Sequence, residues 1–582
     1  MNEFIIGIDL GTTNSEVAVL KNHKIMVLEP TPGQLALPSY VGLDAQGTLL
    51  VGETAKNQYL LHPERTVKSI KRKMGQSVKV TLGDQTYTPQ AIASFLLKHL
   101  KNTAEAYLQH PISKAVVTVP AYFTDAQKQA TREAGQLADL EIVRLLHEPT
   151  AAALAYKTEH RTNKQVLIYD FGGGTFDVSI AHIHNDTIKI LSTHGHPQLG
   201  GDDFDQKIID YILNHLQNKY AIDPRQSQPA MAKITRIAEI AKRTLSYHPY
   251  VLMQEEFLTE QEGIPIHLSL ELSREQYEIL IREPVEQTLE STLIALRDAQ
   301  LKVSDIHEVL LVGGSTRTPL IGQRLAELFR QPPRCEIHPD LCVAMGAALQ
   351  GALIHGNSPL PTRLVDITPY SFGIYALKEM EGEIQQSIYI PIIARNTPLP
   401  IQKTEVFYTV LDNQEAVDIP IFQGENPLDP NNIKLGEFSV EGLSAVPHNN
   451  PILVTFSLDV DGVLEVTAIE KQSGLQKTVT VNQAIAFEQN SETTVNQRLN
   501  TIFEEITEIS QEKVIAEPHH LIIQAQALVE KAGRLLSKVS SENQEDMMEL
   551  VNQITQAIAN KQFKTLSTLI EQLSDILYYV DS

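Results

Sequence analysis

The sequence predicts a multidomain chain: a duplicated α/β domain over 1–356, a linker over 357–366, a β-sandwich over 367–483 and an α-helical segment over 484–582. Three observations carry that expectation. A strand-turn-strand pattern built on Asp-apolar-Gly occurs at Asp9 and returns about 160 residues later at Asp170, as expected of two halves with one fold. Between 367 and 481, short runs of strand-forming residues are separated by turn signals. From about 491, glycine nearly vanishes and the apolar period lengthens to that of a helix.

The later hairpin shows the pattern best. Val166, Leu167 and Ile168 lead through Asp170 into Gly172, Gly173 and Gly174, then through Thr175 and Asp177 to Val178. Glycine permits a turn with φ above zero and lets backbone N–H groups approach a ligand with no Cβ in the way, which suits phosphate oxygens. Asp170 and Asp177 place carboxylates at the mouth of the turn. Such a pair suits a hydrated Mg²⁺, which prefers oxygen ligands and keeps most of its waters. The earlier hairpin runs from Ile5 and Ile6 through Asp9, Gly11, Thr12, Thr13 and Asn14 to Val17. Together they predict a shared cleft with one phosphate loop from each half. An ordinary glycine turn would explain either hairpin alone, but not Asp and Thr at matching places in both.

The 582 residues, 42% hydrophobic and 20% charged, allow two to four domains with large cores. A net charge of −23 opposes nonspecific binding to nucleic acid or anionic lipid, so neither nucleic acid nor membrane is expected as a partner. The basic stretch 68–73, with Lys71, reads as a local anion-facing patch. Only Cys335 and Cys342 are present, which fits a reducing compartment. With His338 they spell Cys-x2-His-x3-Cys, but no fourth ligand follows at zinc-site spacing, so two buried thiols are expected. No leader pattern precedes the first strand, and no run reaches the ~18 apolar residues of a membrane span, so a cytoplasmic location is expected.

Between the hairpins, 91–108 has helical apolar spacing, and 114–119 is a buried-type strand stopped by Pro120. Pro120 therefore sits at a strand-to-helix hinge, with Thr124 or Asp125 as the cap of the next helix. Glu148 precedes a proline-started helix rich in alanine, whose small side chains allow close packing beside the cleft. Gly200 and Gly201 stand with Asp202, Asp203 and Asp205 at a helix start, where N–H groups suit phosphate; the spacing of a calcium loop is lacking. A helical pattern carrying Glu239, Lys242, Arg243 and Ser246 reads as a solvated face. A third strand-glycine turn holds Gly313, Gly314, Ser315 and Arg317, and a guanidinium there can lie flat on a base. The small-residue run 344–349 resembles the one after Glu148, as two related halves would require.

Two prolines and polar residues over 356–366 mark an extended linker. Strands follow at 405–410, 416–421, 452–458 and 463–468, the last two joined by a hairpin turn at Asp461-Gly462. In the helical segment one face carries Leu499, Ile502, Phe503, Ile506 and Ile509, and another carries Leu566, Leu569, Ile570, Leu573, Ile576 and Leu577. Repeated stripes of this kind need one another for burial, which indicates a small bundle.

Taken together, the motifs at 8–15, 119–123, 148–153, 170–177, 199–205 and 313–317 resemble the seventy-kilodalton heat-shock chaperones, the DnaK family, in order and over the whole chain. The stretch 366–373 and the shortened helical end look most like the bacterial HscC-type branch. The resemblance implies an actin-like ATPase domain, a peptide-binding β-sandwich and a helical lid. It implies ATP or ADP with Mg²⁺, and K⁺ as a further ion. Thr12, Thr13 and Asn14, with Gly11, would hold phosphates through the first loop, and Gly172 to Thr175 through the second. Asp9 and Asp170 would hold Mg²⁺ through its waters, with Glu148 nearby. Lys71 would orient the attacking water and stabilise charge on the γ-phosphate, with Thr175 and Asp177 positioning that water. Gly200 and Gly201 would contact phosphate. Glu239, Lys242, Arg243, Ser246, Gly313, Gly314, Ser315, Arg317 and Asp340 would form the nucleoside pocket, which displaces the solvated-face reading of that helix.

The resemblance also implies a relay from nucleotide to sandwich through Pro120, Lys128 and Asp366, and a peptide channel lined by Phe372, Ile374, Phe407, Val417 and Ile419, for each of which core packing is the competing role. Implied partners are client polypeptides, a J-domain co-chaperone and a nucleotide-exchange factor. This sequence departs from the family pattern in three places. Pro361, Thr362 and Arg363 leave only Leu364 and Val365 before the linker Asp366, position 128 is Lys where many members have Arg, and the chain ends on 578–582 without a Glu-Glu-Val-Asp tail. A metabolite kinase and a filament-forming ATPase on the same duplicated fold remain the alternatives.

Overall fold

The computed structural model describes residues 4–159, 163–261, 264–334, 338–356, 358, 362–380, 383–427, 432–481, 548, 550–557, 565 and 569. The chain divides into two units, Met1–Phe487 and Glu488–Ser582. In the second unit the described residues are helical, with Ile554, Ala557 and Leu569 buried. Of the apolar stripes expected there, only Leu569 lies among the described residues. Cys335 also lies outside them, while Cys342 is buried.

In the first unit, two sheets repeat one plan. Strand Ile5–Asp9 is flanked on one side by the antiparallel strands Asn14–Lys21 and Lys24–Val27, and on the other by the parallel strands Lys114–Val119 and Glu141–His147. Strand Lys164–Phe171 likewise has antiparallel Phe176–His184 and Thr187–His196 on one side and parallel Glu308–Val312 on the other. A single parallel bridge from Leu310 to Arg334 stands where the first sheet has its outermost parallel strand. Asp9 and Asp170 therefore close the matching central strands of the two sheets.

The central strands are nearly all apolar because both faces are covered. Between the sheets, Val166, Ile168, Val116 and Leu310 share a core with Ala151–Ala155 and with Val343, Ala347 and Leu349. Those last two groups belong to the helices Glu148–Glu159 and Cys342–His355. Their approach is so close that a Cβ on Gly346 would stand 1.9 Å from the Ala151 carbonyl oxygen. Small residues at both places make the contact, as their sequences suggested.

Local signals account for several boundaries. Thr88 caps helix Pro89–Leu108, and Thr124 forms a full capping box with Gln127 at the start of helix Asp125–Leu137. The linker enters as strand Arg363–Val365, parallel to the outer edge of Thr187–His196. Beyond it lie two four-stranded antiparallel sheets. One orders Glu383–Ile393, Phe372–Met380, Ala416–Gln423 and Ile433–Glu441; the other orders Ile401–Tyr408, Pro451–Leu458, Leu464–Glu470 and Gln476–Val481. Burial alternates strictly along Pro451–Leu458, and Ile452, Val454, Phe456 and Leu458 share one core with Phe372, Ile419 and Ile421. Gly462 turns the hairpin with φ +75°.

Candidate functional site in the cleft

The two glycine hairpins face one cavity of about 380 Å³. Gly11, Thr12, Thr13 and Asn14 line it from the first half, and Gly172, Gly173 and Thr175 from the second. Asp9, Lys71, Glu148 and Asp170 line it too, as do Glu239, Lys242, Arg243, Ser246, Gly313, Gly314, Ser315, Arg317 and Asp340. The helix read by pattern as solvated thus turns one end, 239–246, into the cleft.

The loops lock together by close approach. A Cβ on Gly173 would lie 1.9 Å from Thr13 Oγ1, and one on Gly174 would lie 2.6 Å from Thr12 Oγ1. This corrects one expectation: none of Gly172, Gly173 and Gly174 has φ above zero. At Gly173 and Gly174 the missing side chain makes room for the opposite loop. Gly201 and Asp202 also differ from expectation, because their N–H groups donate to the carbonyls of Gly172 and Gly173 at 3.0 and 2.8 Å. Gly200 donates to Asp203 Oδ2 at 2.7 Å. These amides brace the second loop, and neither Gly200 nor Gly201 lines the cavity, nor do Gly174 and Asp177.

Further cross-links tie the halves near the cleft. Arg72 pairs with Asp203 and donates to the Gly174 carbonyl at 3.1 Å, Ser69 donates to Asp202 at 3.0 Å, and Lys56 stands 3.6 Å from Glu239. Sequence reasoning passed over Glu16, Lys56 and Tyr247, all of which line the cavity. Glu16 was within reach, since it pairs directly across from Asp9 in the first hairpin and so shares its face. Lys56 and Tyr247 arrive by tertiary packing and have no local signal.

Around Lys71 the cleft concentrates acid. Lys71 is buried and ion-paired with Glu148 at the start of its helix. Burial favours a neutral lysine, but Glu148, Asp9 and Asp170 together hold its pKa above the ordinary value. Burial pushes the Glu148 carboxyl up to about 6 against the pull of Lys71, with Asp9 adding to the rise. It also raises Asp9, which Lys71 and the Thr118 hydroxyl at 2.7 Å oppose. Asp170 lies well above the usual range through burial, Glu148 and Asp177, its direct cross-strand partner. Asp177 is pushed up to about 8 by burial and by Glu148, although it accepts the Ala121 N–H at 3.3 Å.

Around Lys71, the carboxylates of Asp9, Glu148 and Asp170 outnumber the positive charge. Asp170 Oδ2 is buried and receives no hydrogen bond among the described residues. Among the described residues no group of three or more His, Cys, Asp or Glu is placed to ligate a metal directly, so the free, buried carboxylate oxygen fits a hard divalent cation such as Mg²⁺ only if the ion keeps most of its waters.

The family model described as Hsp70 protein matches residues 5–81 and 76–581. The chain belongs to the Hsp70 family. It is 44% identical over 486 residues to the chaperone protein DnaK of Thermotoga petrophila, covering 82% of this chain and 80% of that relative. The same figures hold for the DnaK of Thermotoga maritima, and that of Thermosipho melanesiensis is 43% identical over the same length. As an Hsp70, the chain is an ATP-dependent chaperone and an ATPase. No helix among the described residues is long and apolar enough to cross a membrane.

Two of the three residues that the Hsp70 resemblance assigns to a relay, Lys128 and Asp366, meet where the nucleotide domain touches the β-rich part. Asp366 is buried, accepts from Thr150 Oγ1 at 3.2 Å and lies 3.2 Å from His147 Nδ1. Burial would raise its pKa, but His147, the Ile367 N–H and Thr150 hold it below the ordinary aspartate value. Lys128, also buried, lines the same small gap as Asp366, His147, Phe372 and Asp461. Burial lowers its pKa against the pull of Asp125. Arg144 stands 3.3 Å from Asp461, and Arg395 pairs with Asp298 at 2.8 Å. Pro120 begins the turn whose Ala121 N–H meets Asp177. Of the residues assigned to a peptide channel, Phe372, Ile374 and Ile419 are buried in the core of the β-rich part, while Phe407 and Val417 pack half-buried against it.

Proposed function

We propose that the cleft binds ATP with Mg²⁺ and hydrolyses it, and that the nucleotide state sets the grip of a β-sandwich on extended, apolar polypeptide. The observation that carries this reading is the facing pair of hairpins, interlocked at Gly173 and Thr13, with Lys71, Glu148, Asp9 and Asp170 lining one cavity between them.

The loops 11–14 and 172–175 hold the phosphates through backbone N–H and hydroxyl groups. Asp9 and Asp170 would hold Mg²⁺ through its waters, with Glu148 beside them. When bound, the ion supplies screening of the phosphate charge. Lys71 orients the attacking water and stabilises the charge that develops on the γ-phosphate, and Thr175 positions that water, with Asp177 behind the cavity lining. Helix residues 239–246 and the turn 313–317, with Asp340, hold the nucleoside.

Pro120, Lys128 and Asp366 pass the nucleotide state to the sandwich. An extended, leucine-like segment there adds main-chain hydrogen bonds at a strand edge and places one side chain in an apolar pocket near Phe407 and Val417. A helical lid over 484–582, a J-domain partner, a nucleotide-exchange factor, a cytoplasmic location and membership of the HscC-type branch complete the proposal. The branch reading rests on the stretch 366–373. Slow ATP turnover stimulated by an unfolded peptide and by a J-domain protein is the expected result. Turnover that ignores peptide but needs a small alcohol would support a metabolite kinase instead.

A further inference from the structure

We propose that Tyr247 is an aromatic wall of the nucleoside end of the cleft, stacking on the purine and setting how tightly and how selectively the base is held. The inference rests on the reading of the cleft as an ATP site and adds a residue to it.

Tyr247 sits in the turn that follows helix Gln228–Leu245, where its N–H donates to the Thr244 carbonyl at 3.0 Å. The turn carries it past the end of the helical pattern, beside Ser246 and Arg243, and it lines the cavity together with Arg317 and Asp340. Tyr247 is 67% exposed, and no other aromatic ring packs on it among the described residues. A large apolar ring left in water at the mouth of a cavity stands ready to be covered by a flat ligand.

The opposing group is already held in place. Arg317 is ion-paired with Asp340 at 2.7 Å and lines the same cavity as Tyr247. Asp340 raises the pKa of that guanidinium against the effect of partial burial. A phenol ring and a fixed guanidinium at one end of a cavity, with phosphate loops at the other, match the two chemistries of a nucleotide: a flat aromatic base and a polyanionic tail. Ring-on-base stacking tolerates any base but grows with overlap, so a purine gains more than a pyrimidine. Tyr247 therefore contributes affinity through its ring.

The test is equilibrium titration of the full chain, with Mg²⁺ present, using ADP, CDP and inorganic tripolyphosphate against the unaltered protein, Tyr247→Phe and Tyr247→Ser. Tyr247→Ser is expected to weaken ADP at least about fivefold and to narrow the preference for ADP over CDP, with tripolyphosphate unchanged. Tyr247→Phe is expected to stay within about twofold for ADP. ADP binding by Tyr247→Ser equal to that of the unaltered protein would overturn the inference. So would a parallel loss of ADP and tripolyphosphate, which would mark a disturbed loop. An unaltered protein that binds no adenine nucleotide would instead overturn the proposed function itself.

Discussion

Tyr370 donates its hydroxyl hydrogen bond to the main-chain carbonyl of Tyr122 at 2.6 Å, and the two rings meet edge-on with centroids 5.0 Å apart. One residue earlier in the same turn, the Ala121 N–H donates to the Asp177 carboxylate. A buried carboxylate of the nucleotide domain and a tyrosine of the β-rich part thus hold main-chain groups of two adjacent residues. Any shift of Asp177 on nucleotide binding moves the acceptor on which Tyr370 rests. Tyr370→Phe removes a bond worth about 1 kcal/mol and keeps the ring contact. Stimulation of ATP turnover by peptide should fall several-fold while unstimulated turnover stays unchanged. Stimulation equal to that of the unaltered protein would remove this contact from the relay.

Lys71→Ala should abolish most hydrolysis while leaving the ADP dissociation constant within a few-fold, because the proposed role of Lys71 is on transition-state charge. Breaking a buried ion pair ordinarily costs about 3–5 kcal/mol. The cost here should fall at or below that range, since Glu148, already raised to about 6, takes up a proton once Lys71 is gone. Single-turnover hydrolysis and calorimetric binding check the two halves. Equal loss of both would show that Lys71 serves binding.

Gly173→Ala drives a Cβ into Thr13 Oγ1. Overpacking of this kind costs about 1–3 kcal/mol. Because the strain falls on the interlocked loops, nucleotide affinity should drop about tenfold or more with little loss of melting temperature. Adding Thr13→Ala should recover part of the affinity. A double variant weaker than either single change would mean that close approach is not what demands glycine there.

Asp366 gives an acid-range prediction. Its carboxyl is held below the ordinary value of 3.8, so the folded chain binds fewer protons than the unfolded chain as pH falls through that region. The stabilisation is present above 3.8 and is lost as pH drops through the lower, folded value. Asp366→Asn should therefore melt below the unaltered protein at about pH 6, and the gap should close near about pH 3. A gap independent of pH would show that the carboxylate charge plays no part in the contact with His147.

Much of this architecture was legible in the residues, for reasons that differ from element to element. Asp9 and Asp170 could be paired because each ends an apolar run and precedes a glycine turn, and a repeated local pattern survives without tertiary knowledge. Four of the eight strands of the β-rich part showed in their alternation, which is local as well; Phe372–Met380, Glu383–Ile393, Ile433–Glu441 and Gln476–Val481 were not singled out. The glycines of the second loop were found but misread: sequence reports that a side chain is missing, and only the packed loops show that Thr12 and Thr13 fill the space. Gly200 and Gly201 looked like free helix-end donors because the carbonyls that take up the N–H groups of Gly201 and Asp202, those of Gly172 and Gly173, are remote in the chain. Glu16 was recoverable from hairpin register. Lys56 and Tyr247 were not, since each reaches the cavity from a segment whose own pattern points nowhere.

The coupling between cleft and β-rich part is the central claim, and one titration tests it most directly. The anisotropy of a labelled apolar peptide should be followed against the full chain, first with ADP and then with ATP, Mg²⁺ present throughout. The account predicts clearly weaker peptide binding with ATP. Equal affinity in both nucleotide states would contradict it.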